Sequence, residues 1–217
     1  MIRGIVFDFD GVLVDSEPLH FAAYQEVFSA LGASLTREDY YGHFLGYDDA
    51  GVFGMMAARH EWRLDPEKLT ALIEEKSRVF GNLVSSRDVL YPGASAAIER
   101  LASEYPLGIA SGALKHEIEI VLRGAGLNRH FQFIVAAGDT PESKPSPAPY
   151  ARAAELHRLP PAACLAIEDS RWGIVSAKGA GMKCVGITNT YPRSDLAQAD
   201  AIIDSLEEFT EALIRTF

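Results

Sequence analysis

The sequence predicts an α/β protein, in which a parallel sheet wrapped by helices is interrupted after its first strand by an all-helical segment. From about Pro106 onward, short apolar runs alternate with helical patterns; the runs begin at Leu107, Phe133, Cys164, Cys184 and Ala201. Such alternation is typical of a parallel sheet covered by helices. The stretch before it has helical stripes and no convincing strand. We therefore predict a core formed by residues 1–15 and 91–217 and a helical cap over residues 16–90.

The first predicted strand ends in two carboxylates. Residues 2–7 are mostly apolar, the pattern of a strand buried on both faces, and Asp8 and Asp10 follow directly. A turn at Gly11 would let both side chains reach the crevice beyond the sheet edge. Two carboxylates about 4 Å apart repel by roughly 4 kcal/mol at an effective dielectric constant of 20, so we expect a cation or a shared proton between them. Alone, the segment also fits an ordinary Asp-Gly turn with solvated carboxylates.

Helical periodicity dominates the inserted segment. Its first part has aromatic and aliphatic residues at helical spacing, which predicts an amphipathic helix. Ser16 ahead of Pro18 predicts where that helix begins, and Thr36 followed by Asp39 predicts a second start through a capping-box variant. We expect the chain to return to the sheet near residues 91–93. An inserted cap of this kind implies a site that closes.

Charge and cysteine usage narrow the functional classes. The chain has 217 residues with 30 acidic and 20 basic side chains, a formal charge of -10. Because phosphate backbones and anionic lipids select Lys/Arg clusters, we expect neither nucleic acid nor membrane as a partner. Cys164 and Cys184 stand in apolar surroundings and are expected to be buried rather than paired or metal-bound. No segment has the length of a membrane span, and we expect a cytoplasmic protein.

Polar residues follow three later strands of the predicted sheet. They are Ser111 and Gly112, Lys144 in a loop, and the pair Glu168 and Asp169. Each alone fits a local role: a helix cap, a solvated loop lysine, or the acidic first turn of a helix. Together with the first-strand carboxylates they lie at the carboxyl edge of one parallel sheet, which is where open α/β sheets bind ligands.

These residue types are chemically complementary. Asp8, Asp10, Glu168 and Asp169 would form an acidic cluster that needs a hard divalent cation, and oxygen-only ligation favours Mg²⁺. Positive charge and a hydroxyl donor for a phosphoryl group would come from two further side chains, Lys144 and Ser111. The backbone at Gly112 allows close approach of an anion.

Four ordered motifs resemble those of the haloacid dehalogenase (HAD) superfamily. They are the run from Asp8 to Asp15, Ser111, the pair Lys144-Pro145, and the run from Glu168 to Gly173. The chain is similar to members with a helical cap after the first motif, such as β-phosphoglucomutase and phosphoglycolate phosphatase-like phosphatases. This resemblance covers essentially the whole chain. It implies a Rossmann-like core and phosphoryl-transfer chemistry.

The resemblance also implies roles for the core residues. Asp8 would be the nucleophile that becomes an aspartyl phosphate, and Asp10 the general acid and base. Ser111 and Lys144 would hold the phosphoryl oxygens. The second aspartate opposes a dehalogenase reading, because a departing halide needs no proton.

The metal ligands implied by the resemblance come from the same motifs. Asp8, the Asp10 backbone carbonyl and Asp169 would bind Mg²⁺, with Glu168 beside it. A carboxylate is a competent nucleophile toward phosphorus only when its charge and that of the phosphate are offset. Mg²⁺ and a lysine would supply that compensation.

Two cap residues are candidates for substrate contact. Lys76 lies in the middle of an apolar helical stripe that includes Phe80, and similar capped family members carry a lysine there. His20 resembles a cleft histidine of β-phosphoglucomutase. A snorkelling lysine and a packed core histidine are the alternatives. Asp49 and its neighbours after Gly46 replace the arginine by which a mutase would hold a second phosphate, which opposes mutase activity.

The leading hypothesis is therefore a Mg²⁺-dependent phosphatase of a small phosphorylated metabolite, either a sugar phosphate or a phosphoglycolate-like compound. The alternative is a sugar phosphomutase of the β-phosphoglucomutase type. A third hypothesis is a non-catalytic metabolite-binding module, which the costly set of acidic residues opposes. The sequence says little about oligomeric state, and our working expectation is a monomer.

Overall fold

The chain forms two compact units. A computed structural model describes residues 1–45, 47–84 and 89–217. One unit comprises residues 1–15 and 88–217, and the other residues 16–87. The expected return to the core near residues 91–93 stays a prediction, because the preceding residues 85–88 lie outside those described. We call the first unit the core and the second the cap.

A six-stranded, all-parallel sheet organises the core. Its order is β3-β2-β1-β4-β5-β6. The strands are β1 (Gly4–Phe7), β2 (Leu107–Ala110), β3 (Phe131–Val135), β4 (Cys164–Glu168), β5 (Lys183–Ile187) and β6 (Ala201–Ile203). This confirms the predicted parallel sheet and all five later strands, to within two residues at their starts. Both cysteines are buried and free, as expected.

Strand β1 lies at the centre of the sheet, where the strand order reverses. Phe7 is in register with Ile109 of β2 on one side and with Ile167 of β4 on the other. All four residues of β1 are buried, which explains their uninterrupted apolar character. Chain segments that leave β1, β2 and β4 therefore begin side by side at one edge, the switch point where such sheets form ligand crevices.

Five helices precede or follow the described core strands. They are α5 (Ala94–Ala102), α6 (Lys115–Gly124), α7 (Ala148–His157), α8 (Arg171–Gly179) and α9 (Glu211–Ile214). Helix α8 begins directly after the acidic pair of β4, where the Ser170 hydroxyl accepts a hydrogen bond from the Gly173 amide. This cap fixes the turn between β4 and α8.

Helices are the only regular secondary structure among the described residues of the cap. Its helices are α1 (Glu17–Ala30), α2 (Arg37–Asp39), which continues as a π-helix (Tyr40–Phe44), α3 (Asp49–Arg59) and α4 (Pro66–Val84). The Thr36 hydroxyl accepts from the Asp39 amide, as predicted. Helix α1 starts where expected, but Ser16 makes no side-chain capping bond there; Pro18 in the first turn carries the start signal. No helix in the described ranges is long and apolar enough to cross a membrane.

Candidate active site

Three buried carboxylates converge where β1 and β4 end. Asp8 follows β1, Glu168 closes β4 and Asp169 comes next in the chain. One oxygen of each lies within 4.8 Å of the others. Glu168 has no solvent-exposed surface, and the other two are buried as well. An all-oxygen set of this kind is the donor chemistry that suits Mg²⁺.

Lys144 joins two of these carboxylates. It lies in the loop between β3 and α7, and its Nζ is 2.9 Å from Asp8 Oδ1 and 2.6 Å from Glu168 Oε1. Burial lowers its pKa, but Asp8 and Glu168 outweigh burial and raise that pKa above the ordinary lysine value. The lysine is therefore a fixed cation that offsets one of the three negative charges.

The remaining negative charge makes ionisation of the cluster costly. Burial first, and then the charge of Glu168, raise the pKa of Asp8 well above its usual range. The same two causes raise the pKa of Asp169 to about 7. A divalent cation would remove this penalty, because it restores the balance that burial makes necessary. The residues present thus fit a magnesium ion.

The Asp8 carboxylate is held by two donors on one oxygen. Its Oδ1 accepts the Phe9 amide at 2.7 Å in addition to Lys144. Asp10, two residues on, is half-buried and forms an isolated bridge with Val14. After burial and the charge of Glu168, the charge of Asp10 is a further cause of the raised pKa of Asp169.

Gly11 permits the close approach of the first and last motifs. Its φ is +74°, and a Cβ at this position would collide with the Asp169 carboxylate and the Thr190 hydroxyl. Its carbonyl accepts from Asn189 Nδ2 at 2.8 Å. A side chain here would meet both a strained backbone and occupied space, so the Asp-Gly sequence reflects more than a solvated turn.

Ser111 follows β2 at the same sheet edge. It is buried, and its Oγ accepts the Ala113 amide at 3.0 Å. Gly112 is exposed, and a Cβ there would meet no atom within 4 Å. Their roles toward phosphoryl oxygens stay predictions, but the open backbone beside a buried hydroxyl is compatible with an anion site.

Two neighbours of Glu168 have roles that were not predicted from the sequence. The Tyr150 hydroxyl on α7 donates to Glu168 Oε1 at 2.6 Å. At Gly173 a Cβ would overlap the Glu168 carboxylate, so only glycine fits. The glycine belongs to the motif that begins at Glu168, but nothing local indicated what Tyr150 contacts. A buried tyrosine hydroxyl requires a partner, and that is the only signal the sequence offered.

The cap has its own buried polar group. Lys76 Nζ is 3.0 Å from Asp49 Oδ1, which also accepts the Tyr24 hydroxyl at 2.5 Å. The lysine side chain is only 2% exposed, so the snorkelling alternative is wrong. The His20 ring stacks on Phe80 with centroids 4.2 Å apart, and the Lys76 ammonium lies 5.2 Å from the same ring. The two predicted cap residues are therefore neighbours; their contact with substrate stays a prediction, and Gly46 lies outside the described residues.

Fold and site define an α/β enzyme with an acidic, lysine-bridged centre at the carboxyl edge of its sheet. A family model described as haloacid dehalogenase-like hydrolase matches residues 5–187. The chain belongs to this family and is a hydrolase of the HAD type.

Similarity to individual relatives extends over nearly the whole chain. It is 32% identical to hexitol phosphatase B of Escherichia coli (strain K12), over 96% of this chain and 95% of that protein. Identity to protein CbbY of Rhodobacter capsulatus is also 32%, over 89% and 88% of the two chains. Among solved structures, CbbY from Rhodobacter sphaeroides in complex with phosphate superposes with a TM-score of 0.86 at 29% identity, over 96% of each chain.

Proposed function

We propose that this protein is a Mg²⁺-dependent phosphatase that hydrolyses a small phosphorylated sugar through an aspartyl phosphate on Asp8. The observation that carries the proposal is the placement of Asp8 in the acidic cluster, bonded at one oxygen by Lys144 and the Phe9 amide. These donors orient the carboxylate toward one approach direction. Orientation of this kind is what nucleophilic attack on phosphorus requires.

The metal would be held by Asp8 and Asp169, with Glu168 beside it and the Asp10 carbonyl completing the set, as the family resemblance implies. When bound, Mg²⁺ would offset the charge shared by the nucleophile and the phosphoryl oxygens. Lys144 contributes a fixed positive charge at the nucleophile, because its ammonium group already contacts Asp8. Ser111 and the open backbone at Gly112 are proposed to bind the remaining phosphoryl oxygens.

The proposed reaction has two steps. Asp8 attacks phosphorus, forming the acyl phosphate bond while the ester bond breaks, and the departing alkoxide takes a proton from Asp10. Asp10 then accepts a proton from water as that water attacks the phosphoaspartate, which releases inorganic phosphate and regenerates Asp8. A half-buried position lets Asp10 exchange protons with both leaving group and water.

Phosphorylated sugars are the substrate class that the relatives favour. Hexitol phosphatase B and a "Phosphorylated carbohydrates phosphatase" of Thermotoga maritima, which is 30% identical over 84% of this chain, bear such names. A variant of CbbY from Rhodobacter sphaeroides was crystallised with xylulose-(1,5)bisphosphate and superposes with a TM-score of 0.85 at 28% identity. The formal charge of -10 disfavours phosphorylated polymers such as nucleic acids.

A sugar phosphomutase is the second candidate. Lys76 and His20, side by side on Phe80, favour it because the resemblance places both among mutase cleft residues. The fold of β-phosphoglucomutase from Clostridium difficile is close, with a TM-score of 0.86, but its 24% identity carries the fold alone. Asp49 opposes the mutase, because it pairs with Lys76 where an arginine would hold a second phosphate.

The deciding experiment measures release of inorganic phosphate from p-nitrophenyl phosphate with and without Mg²⁺, and then from sugar phosphates, phosphoglycolate and nucleotides. A phosphatase releases phosphate in proportion to ester consumed, with the highest kcat/KM on a sugar phosphate. A mutase consumes a sugar phosphate without releasing phosphate and forms its positional isomer. If folded, metal-loaded protein does neither, the non-catalytic binding module is the correct reading.

A further inference from the structure

Tyr150 is a buried phenol that contacts the acidic centre from behind. It lies on α7 with no exposed surface, and its hydroxyl donates to Glu168 Oε1 at 2.6 Å. That oxygen also receives Lys144 Nζ at 2.6 Å. The lysine nitrogen in turn lies 5.1 Å from the centroid of the Tyr150 ring. One tyrosine therefore contacts both members of the Lys144–Glu168 ion pair.

Lys144 is shared between two carboxylates, and only one of them is the proposed nucleophile. The lysine is 2.9 Å from Asp8 Oδ1 and 2.6 Å from Glu168 Oε1, so the contact with Glu168 is the shorter. Glu168 is fully buried, and buried anionic oxygen attracts donors strongly. A second donor on the same oxygen offsets part of the negative charge of Glu168. It therefore weakens the attraction of Glu168 for the Lys144 ammonium group.

The other carboxylate oxygen of Glu168 accepts a longer hydrogen bond. Its Oε2 receives the Ser170 hydroxyl at 3.4 Å, a long contact compared with the two 2.6 Å bonds on Oε1. Among the described residues, the Tyr150 hydroxyl is thus the uncharged donor that makes a short hydrogen bond to this carboxylate. Hydrogen bonds to an ionised acceptor are about twice as strong as bonds between two neutral groups.

We propose that Tyr150 is a positioning residue for phosphoryl binding: its bond to Glu168 keeps Lys144 available to Asp8 and to the oxygens of a bound phosphoryl group. Without the hydroxyl, Glu168 draws the lysine toward itself and away from Asp8. The site then loses positive charge where the phosphoryl group lies. This inference rests on the proposed function, in which Lys144 binds those oxygens.

Tyr150→Phe isolates the hydroxyl, because it keeps the ring, its packing and its contact with the lysine. Tyr40→Phe is the matched control in the cap: it removes a phenol that donates to a different carboxylate, Glu17 Oε2, at 2.7 Å. Both substitutions delete one tyrosine-to-carboxylate hydrogen bond. Only the first deletes one at the acidic centre.

The test measures binding of inorganic phosphate to the intact protein in saturating Mg²⁺ by isothermal titration calorimetry, with thermal unfolding recorded for each variant. We expect Tyr150→Phe to weaken the phosphate affinity about tenfold, the effect of one hydrogen bond to a charged group. KM for a phosphate ester should rise by a similar factor, while kcat changes less. Tyr40→Phe should lower the melting temperature comparably and leave the phosphate affinity within about twofold.

Three results would overturn the inference. Tyr150→Phe could bind phosphate as tightly as the unaltered protein, both variants could weaken binding equally, or the unaltered protein could bind no phosphate. Failure of the proposed function looks different: phosphate binds and Tyr150→Phe weakens that binding, yet no ester is hydrolysed. In that case the inference that Tyr150 keeps Lys144 available to Asp8 stands, and only the proposed hydrolysis is rejected.

Discussion

Lys144 in the core and Lys76 in the cap have similar surroundings. Each is a lysine with little exposed surface that pairs with a carboxylate, and each carboxylate also accepts a tyrosine hydroxyl. In the cap, Lys76 pairs with Asp49. In the core, one lysine meets Glu168 and Asp8, with Asp169 close by, so negative charge exceeds positive charge among the described residues of that cluster.

This excess is what separates a reactive centre from an internal ion pair. In the core, burial first and then the neighbouring negative charge raise the pKa of Asp8 and that of Asp169, so the site is completed only when positive charge is added. In the cap the ion pair joins α3 to α4, and the Tyr24 hydroxyl of α1 bonds to the same Asp49 oxygen. Charge balance, more than burial alone, therefore indicates which cluster does chemistry.

The largest difference between the clusters should come from Asp8→Asn. The amide keeps the shape but is not a nucleophile, so we expect loss of at least about a thousandfold in Mg²⁺-dependent ester hydrolysis. Because the change also removes one of the excess negative charges, the melting temperature of the metal-free protein should stay the same or rise. Steady-state hydrolysis and thermal unfolding measure the two effects. A variant that keeps a tenth of the rate would reject Asp8 as the nucleophile.

Lys144→Met should follow in size. It leaves three buried carboxylates without their lysine, so we expect hydrolysis to fall about 100-fold or more and the metal-free protein to lose about 3–5 kcal/mol of stability. Mg²⁺ should restore part of that stability but not the rate.

Lys76→Met provides the comparison in the cap. Its effect should fall on KM for a sugar phosphate much more than on KM for an aryl phosphate. Equal effects on both esters would mean that Lys76 only packs.

The placement of the core residues at one edge of the sheet was predictable, because it follows from the topology of parallel strands. Asp8, Ser111 and Asp169 each directly follow a strand, and parallel strands deliver their carboxyl ends to one edge. Lys144 comes from a loop, and its place was inferred from the motif order rather than from periodicity. The sheet itself followed from alternation of apolar runs, a signal that repeats along the chain.

The partners of these residues were not predictable. Tyr150 reaches Glu168 from a different helix, and Asp49 reaches Lys76 from another part of the cap. Such contacts depend on how helices rotate and pack, which a linear pattern does not specify. The capping role suggested by Ser16 failed for a local reason: its backbone is already helical, with φ -85° and ψ -20°, whereas a capping side chain needs an extended residue.

The cap pair can be tested by a double-mutant cycle. Lys76→Met and Asp49→Leu should each destabilise the protein by on the order of a few kcal/mol, because each removes one partner of the Lys76–Asp49 ion pair, while the double variant should cost clearly less than the sum of the two. Trp62 lies in the cap and Trp172 in the core, so a Trp172→Phe background makes tryptophan fluorescence report on cap unfolding in urea. Strictly additive costs would show that the two side chains do not stabilise each other.

The smallest expected effect is a pH dependence of stability that comes from the core cluster. The folded-state pKa of Asp169 is about 7 and that of Asp8 is also raised above the ordinary value of 3.8. The folded protein therefore binds these protons more tightly than the unfolded chain, and stability of the metal-free protein falls as pH rises from about 4 to about 7, on the order of a few kcal/mol. Because Mg²⁺ binds the ionised carboxylates, its effect on the melting temperature should be larger at pH 8 than at pH 5. Asp169→Asn should flatten both trends. Equal stabilisation by Mg²⁺ at the two pH values would show that the excess charge of the core cluster is already neutralised by protein groups, and the contrast between the two lysines would then lose its physical basis.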